Sequence, residues 1–342
     1  MSLTRGLSAA AVAIALASCL IPAAQAANLP GDPCSTAGQV VALGAGSIEC
    51  VDGTWQPSSK QPGTGGPAGT GTGTSSVASL HNFTKVGPVL TQTTFGSSGK
   101  QVADPSALRL ANGRIRVFSW VNPVGIRSAT STNAAGAAFV ADTSTPVPWT
   151  MGGQPRIVRV DATTVRLFYA AGGNINAAVS TDEGLTFTDE GPVITMAQAG
   201  FEPGALSLVK QKGQYRAYFS NLEKPGERTT RTMRTATSPD MLHWTMGPTL
   251  TTEGSHPFAL IDKAGKIAIY YAADRGSSYG LFVSTSRNGT SFSKEKLVIA
   301  GAADADIIAA GKGKWLMYYG TEVSTDIGFG VFLARSRGNA IP

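Results

Sequence analysis

The sequence predicts an all-β chain: a five-bladed β-propeller preceded by a small disulfide-stapled module and a flexible linker. Three observations predict it. Glycine is abundant, at 41 of 342 residues, and only 15% of residues are charged against 42% hydrophobic. That balance, with β-branched and aromatic residues in short runs, favours many short strands and turns around a large core. The second observation is a repeat of about 50 residues, a period typical of propeller blades. The third is a strand-like segment ahead of the first repeat that supplies what the last repeat lacks.

The N-terminus reads as an export signal. MSLTRGLSAAAVAIALASCLIPAAQAANLP has one early cation (Arg5), an apolar stretch from Leu7 to Pro22 and an A-x-A site at Ala24-Gln25-Ala26. It is too short and alanine-rich for a convincing spanning helix. Cleavage after Ala26 gives a secreted or periplasmic protein. A lipobox-like LASC offers the alternative of a lipid anchor at Cys19. Residues 27–55 then form a small module whose cysteines, Cys34 and Cys50, most simply pair in an exported protein. Residues 56–80, rich in Gly, Pro, Ser and Thr, have nothing apolar to bury and read as a tether.

Residues 81–342 carry the repeat. Five segments open with a polar residue and run into an apolar strand: DPSALRL at Asp104, QPRIVRV at Gln154, EPGALSL at Glu202, HPFALID at His256 and DADIIAA at Asp304. Successive openings are thus separated by one blade's length, with the step before Glu202 shorter than the step after it. An aromatic follows 14 positions later in four of them (Phe118, Phe168, Tyr270, Tyr318). In the third, Tyr218 comes 16 positions after Glu202, which reads as a hairpin two residues longer. Each unit reaches a third strand ending near a serine: Ser131, Ser180, Ser238, Ser286 and Ser336. STDEGLTF at 180–187 fits the S-x-D-x-G-x-T-F Asp-box pattern, with SPDMLHW and SRNGTSF as looser relatives. These turns are read as structural hairpins. The last unit ends without an outer strand, and VGPVLTQ at 86–92 is placed to complete it, closing the ring and removing both free edges.

A five-bladed propeller whose blades open D-P, x-P and E-P resembles the glycosidases of the arabinanase, xylosidase and invertase type. The resemblance covers roughly residues 84–340, through repeat spacing and short motifs. It implies that the openings converge on the axis. It also implies Asp104 as general base or nucleophile and Glu202 as general acid. The second opening departs from the pattern, since Gln154 stands where these enzymes carry an Asp that tunes the acid. Glycosidic cleavage needs one protonated and one ionised carboxyl group. Gln154 binds a hydroxyl but supplies no charge, and Asp304 is the candidate to replace it. His256 is expected to line the pocket, and Trp120 and Phe201 are candidate stacking faces for sugar rings. No cofactor is expected. With three His in the chain, a full metal site is not expected either.

Three functions fit. The first is an exported glycosidase acting on a poly- or oligosaccharide. The second is a non-catalytic carbohydrate- or surface-binding propeller, its site degenerate at Gln154. The third is a sialidase-like hydrolase, suggested by the Asp box, although GQPRIV at 153–158 does not give the F/Y-R-I-P order of that group. The net charge of +6 falls on Lys and Arg scattered along the sequence without a dense stripe, a mild surface property and no nucleic-acid footprint. The protein is expected to act as a monomer on a carbohydrate, with no transmembrane segment once the signal is removed.

Overall fold

A computed structural model describes residues 40–43, 46–52, 54–58, 82–143, 152–222, 231–262, 264–276, 278–311 and 313–336. The export signal, Cys19, Cys34 and most of the tether lie outside these residues. The chain divides into two compact units, Met1–Pro67 and Ala68–Pro342. The first contains a three-stranded antiparallel meander, β1 (Val40–Leu43), β2 (Gly46–Val51) and β3 (Thr54–Ser58), in which Cys50 is buried.

The second unit is a five-bladed propeller of four-stranded antiparallel sheets. It begins with β4 (Phe83–Leu90) and a one-turn helix, α1 (Gln92–Phe95). Blade 1 is β5 (Val102–Arg109), β6 (Ile115–Val121), β7 (Gly125–Ser131) and β8 (Phe139–Ala141). Blade 2 is β9 (Gly153–Arg159), β10 (Val165–Ala171), β11 (Asn174–Ser180) and β12 (Thr188–Ile194), followed by α2 (Met196–Ala199). Blade 3 is β13 (Pro203–Gln211), β14 (Gln214–Asn221), β15 (Met233–Ser238) and β16 (Thr245–Thr249). Blade 4 is β17 (Ser255–Ile261), β18 (Ile267–Asp274), β19 (Tyr279–Ser286) and β20 (Lys296–Ala300). Blade 5 takes β21 (Ala303–Gly311), β22 (Lys314–Ser324) and β23 (Gly328–Ser336) from the end of the chain. Its outer strand is β4, which pairs antiparallel with β23, as the sequence predicts. That closure joins both ends of the propeller in one four-stranded sheet. Among the described residues, no helix is long and apolar enough to cross a membrane.

The core lies between blades. Each of five buried clusters is shared by two neighbours. Phe118 and Val165 join blades 1 and 2, and Phe168 and Phe219 join 2 and 3. Tyr218 and Tyr271 join 3 and 4, and Tyr270 and Tyr319 join 4 and 5. Tyr318 and Val117 close the ring between 5 and 1. The recurring second-strand aromatic (Phe118, Phe168, Tyr218, Tyr270, Tyr318) is fully buried in every blade. Second-strand side chains also reach the next blade's outer turn. Arg116 donates to the Glu183 carbonyl at 2.6 Å, Arg166 to that of Asp240 at 3.1 Å, Tyr218 to that of Gly289 at 3.0 Å and Tyr318 to that of Gly136 at 2.9 Å.

The Asp-box turn is structural, as its pattern suggests. Asp182 accepts from the amides of Leu185 and Thr186, both at 3.0 Å, and from the Thr186 and Ser180 hydroxyls at 2.6 and 2.7 Å. Both oxygens of Asp182 are thus engaged inside the turn. Burial pushes its carboxyl up, but these bonds outweigh burial and hold it below the usual range.

Candidate active site

The first strand of each blade starts beside the axis and carries a one-residue bulge just after its start. In blade 1, Ala103 pairs with Trp120 and Ser106 with Phe118, so Asp104 and Pro105 together oppose one residue. The same break falls at Gln154 between Gly153 and Arg156, at His256 between Ser255 and Phe258, and at Asp304 between Ala303 and Asp306. The bulged residue has left-handed φ each time: 54° at Asp104, 51° at Gln154, 51° at His256 and 53° at Asp304. A bulge re-aims its side chain out of the pleat, here toward the axis. Non-glycine residues at positive φ persist only where the surrounding fold imposes them.

Blade 3 breaks the frame read from the sequence. Its bulge lies between Gly204 and Ser207, and the residue with left-handed φ is Ala205 at 50°. Ser207 pairs with Tyr218, so the hairpin is one residue shorter than its counterparts, not two residues longer. Counting from Ala205 in place of Glu202 also evens the repeat, because the long step before His256 disappears. Glu202 therefore lies three residues ahead of the bulge, between the Gly200 cap of α2 and the first residue of β13. Its carbonyl accepts from the Leu222 amide at 2.7 Å, which ties this approach to the end of β14.

The bulges assemble an upper ring of side chains: Asp104, Gln154, Ala205, His256 and Asp304. They surround a cavity of about 20 Å³, room for about one water. His256 stands between the two carboxylates, Nε2 at 3.3 Å from Asp104 and Nδ1 at 3.2 Å from Asp304. Nε2 also meets the Gln154 amide nitrogen at 2.9 Å. All three titratable side chains are only 12–13% exposed. Two glycines make room. A Cβ at Gly204 would stand 2.1 Å from Gln154 Oε1, and one at Gly320 2.9 Å from Asp304 Oδ2.

Asp304 lines the axial cavity with His256, whereas Glu202 lines the neighbouring cleft. The ring also gathers possible cation ligands. Asp104, His256 and Asp304 each present one ligand atom, and the three atoms lie within 4.8 Å of one another. An imidazole nitrogen with two carboxylate oxygens is a donor set that could hold a divalent ion.

Beside this ring, between blades 1, 2 and 3, opens a cleft of about 340 Å³. Asp104, Gln154 and Glu202 line it together, with Trp120 from the end of β6 and Leu222 after β14. The Gly172-Gly173 turn and Asn174 form a further wall, and Asn174 is fixed by donating to the Gly172 carbonyl at 3.0 Å. Trp120 packs beside Gly153, within van der Waals distance of where a Cβ would stand. The cleft thus sets one aromatic side chain beside two carboxyl groups. Glu202 makes no hydrogen bond through its carboxylate among the described residues. Phe201 points elsewhere: it packs on Phe219 with ring centroids 5.9 Å apart and is absent from the cleft lining.

Two positions after each bulge, a lower ring seals the axis. It consists of Ser106, Arg156, Ser207, Phe258 and Asp306. Asp306 is 3% exposed and accepts from Arg156 at 2.7 Å and from the Ser106 hydroxyl and Ala107 amide, both at 2.9 Å. Arg156 also donates to the Leu206 carbonyl at 3.1 Å, and its guanidinium lies 4.9 Å over the Phe258 ring. Burial pushes the Asp306 carboxyl up, opposed by Arg156 and by the amide and hydroxyl donors. Nothing in the sequence pattern marks this pair as partners, because 150 residues separate them.

No protein-family model matches the sequence, and no curated protein matches it. Solved structures do. An α-L-arabinofuranosidase from Podospora anserina, in complex with cellotriose, superposes with a TM-score of 0.57 at 11% identity, over 76% of this chain and 98% of that one. An endo-arabinase from Bacteroides thetaiotaomicron gives 0.53 at 15% identity, over 71% and 95%. An endo-1,4-β-xylanase from the same organism gives 0.52 at 15%, over 70% and 94%. The chain shares its five-bladed propeller fold with these glycosidases.

Proposed function

We propose that the propeller hydrolyses a glycosidic bond in the cleft between blades 1, 2 and 3. The observation that carries this reading is the meeting of Asp104, Glu202 and Trp120 in one cleft. Glu202 gets there although it lies outside the bulge register that aims the other openers. A pair of carboxyl groups flanking the scissile bond is what most glycosidases use, and here two come from different blades beside an aromatic side chain.

In this reading Glu202 protonates the leaving oxygen as the aglycone departs. Asp104 acts either as the base that activates a water or as the nucleophile. The side-chain exposure of 12% at Asp104 and its contact with His256 keep it ordered and partly desolvated. Gln154, bordering both cavities, offers an amide to a sugar hydroxyl. Solved structures of this fold are named as an α-L-arabinofuranosidase, an endo-arabinase and an endo-1,4-β-xylanase, which makes pentose polymers the first substrates to try. A second reading, glycan binding without cleavage, is favoured by Gln154, because an amide supplies no like charge to keep a neighbouring acid protonated.

A hydrolysis screen on aryl glycosides and on arabinan, xylan and galactan tests this, with Glu202→Gln and Asp104→Asn as controls. The expected result is activity in the parent chain and a loss of about 10²–10⁴-fold in each variant. Activity unchanged in Glu202→Gln removes the acid. Glycan binding without turnover by the parent chain establishes the second reading.

A further inference from the structure

Every first strand runs from the cleft end of the axis to a hairpin at the opposite end, so five hairpins surround the far mouth of the propeller. Their charge is one-sided. Arg109 and Arg114 flank the hairpin of blade 1, and Arg159 that of blade 2. Lys210 and Lys212 lie on blade 3, Lys266 on blade 4 and Lys314 on blade 5. Against these seven cations the described hairpin residues offer two carboxylates, and both are turned inward on their own turns. Asp161 accepts from the Thr163 and Thr164 amides at 2.9 and 2.8 Å, and Asp262 from the Lys266 amide at 2.7 Å. Glu183, on the neighbouring turn of blade 2, adds a third and faces Arg159 at 3.4 Å. The hairpins thus carry seven cations against two carboxylates among the described residues, with Asp182 and Glu183 on the adjoining outer turn of blade 2.

The hairpins form one surface. Arg159 donates to the Arg109 carbonyl at 3.1 Å, Arg109 to that of Ala309 at 2.6 Å, and Gln211 to that of Gly265 at 3.2 Å. These bonds link blades 2, 1 and 5, and blades 3 and 4. Lys212 and Lys314 are exposed, and neither their ammonium groups nor that of Lys266 has an ionic or hydrogen-bonding partner among the described residues. The surface is also polar. The large exposed apolar residues, Val140, Met196, Tyr279, Leu297 and Phe329, all lie off the hairpins, so none of them is placed to enter a bilayer from this face.

We propose that this basic face binds an extended polyanionic glycan, one bearing carboxylate or phosphate groups, while the cleft works on the opposite face. Ammonium groups on long side chains across blades 3, 4 and 5, beside the guanidinium groups of blades 1 and 2, suit a flexible polymer of repeated charge better than a single small anion. The preference for a glycan over another polyanion rests on the reading of the cleft as a sugar site. The binding itself does not depend on that reading.

Retention of the full chain on immobilised polygalacturonate, eluted with a salt gradient, tests the proposal. Three variants accompany it: Lys212→Glu/Lys266→Glu/Lys314→Glu, a rim control Lys85→Glu/Lys100→Glu/Lys296→Glu with the same net charge, and Asp104→Asn. The parent chain, the rim control and Asp104→Asn should elute together, and the hairpin variant should bind at least about tenfold more weakly, in line with the replacement of three basic charges by acidic ones. Equal weakening of the hairpin and rim variants would reduce the effect to bulk charge and overturn the proposal. So would loss of retention in Asp104→Asn, equal retention on neutral dextran, or tighter binding to DNA or to anionic phospholipid vesicles. Circular dichroism confirms that each variant folds. A chain that binds polygalacturonate but cleaves nothing would keep this surface while removing the catalytic reading.

Discussion

The upper and lower rings occupy neighbouring positions on the same five strands, yet their chemistry is opposed. The lower ring places its one acid against its one guanidinium and satisfies both with hydroxyl, amide and carbonyl partners. The upper ring, two residues earlier, gathers two carboxylates around one imidazole on strained backbone and opens onto a cleft. Burial explains the contrast. A sealed axis tolerates a charge only when it is paired and fully hydrogen-bonded. A ring that borders solvent can leave acids incompletely neutralised, and that is where chemistry becomes available. The lower ring ties four blades together, through Asp306 with Ser106 and Arg156 and through Arg156 with the Leu206 carbonyl.

Three substitutions separate the two rings. The largest effect belongs to Asp306→Ala, which leaves Arg156 buried without its counter-charge and should destabilise the propeller by about 3–5 kcal/mol. Calorimetry should show this as a Tm lower by roughly 6–20 °C for a unit of this size. A drop no larger than that of a surface variant would mean that water replaces the lost partner.

Next comes Gln154→Asp, which places a carboxylate beside the cleft acid. A like charge favours the protonated form of a neighbouring carboxyl group, and a general acid works only while protonated. The alkaline limb of the kcat/KM profile should therefore move up by about one pH unit. A limb that stays in place would separate position 154 electrostatically from Glu202.

The smallest effect is expected at Ala205, the bulge residue of the one blade with no polar side chain there. Ala205→Gly relieves left-handed backbone at the expense of chain entropy, for a net gain of roughly 0.5 kcal/mol. Urea titration should show a slightly higher midpoint with unchanged slope. A loss would mean that the methyl group packs better than the backbone strain costs.

Much of the fold is legible in the sequence because propeller blades are local. Each is a meander whose strands pair with sequence neighbours, so the repeat announces itself at a fixed period, and the strand at 83–90 declares its role by being missing from the other end. The convergence of Asp104, Gln154, His256 and Asp304 was equally readable. Blade 3 was not. EPGALSL resembles DPSALRL residue for residue, but the bulge is fixed by cross-strand register, and Ser207 pairing with Tyr218 puts Ala205, not Glu202, in the ring. The uneven steps on either side of Glu202, short before it and long after it, were the one sign of this. Phe201 shows the same limit, since adjacency to an acid says nothing about which side of a strand start faces the cleft.

The sequence by itself determined the number of blades, the closure of the ring and the polar character of its axis, because these follow from periodicity and strand pattern. Only the tertiary structure decided who meets whom. It paired Arg156 with Asp306 across 150 residues and assigned Asp304 to His256 rather than to Glu202. It also gathered cations that look scattered in the chain onto one face, because five hairpins each a full blade apart in sequence are neighbours around a single axis.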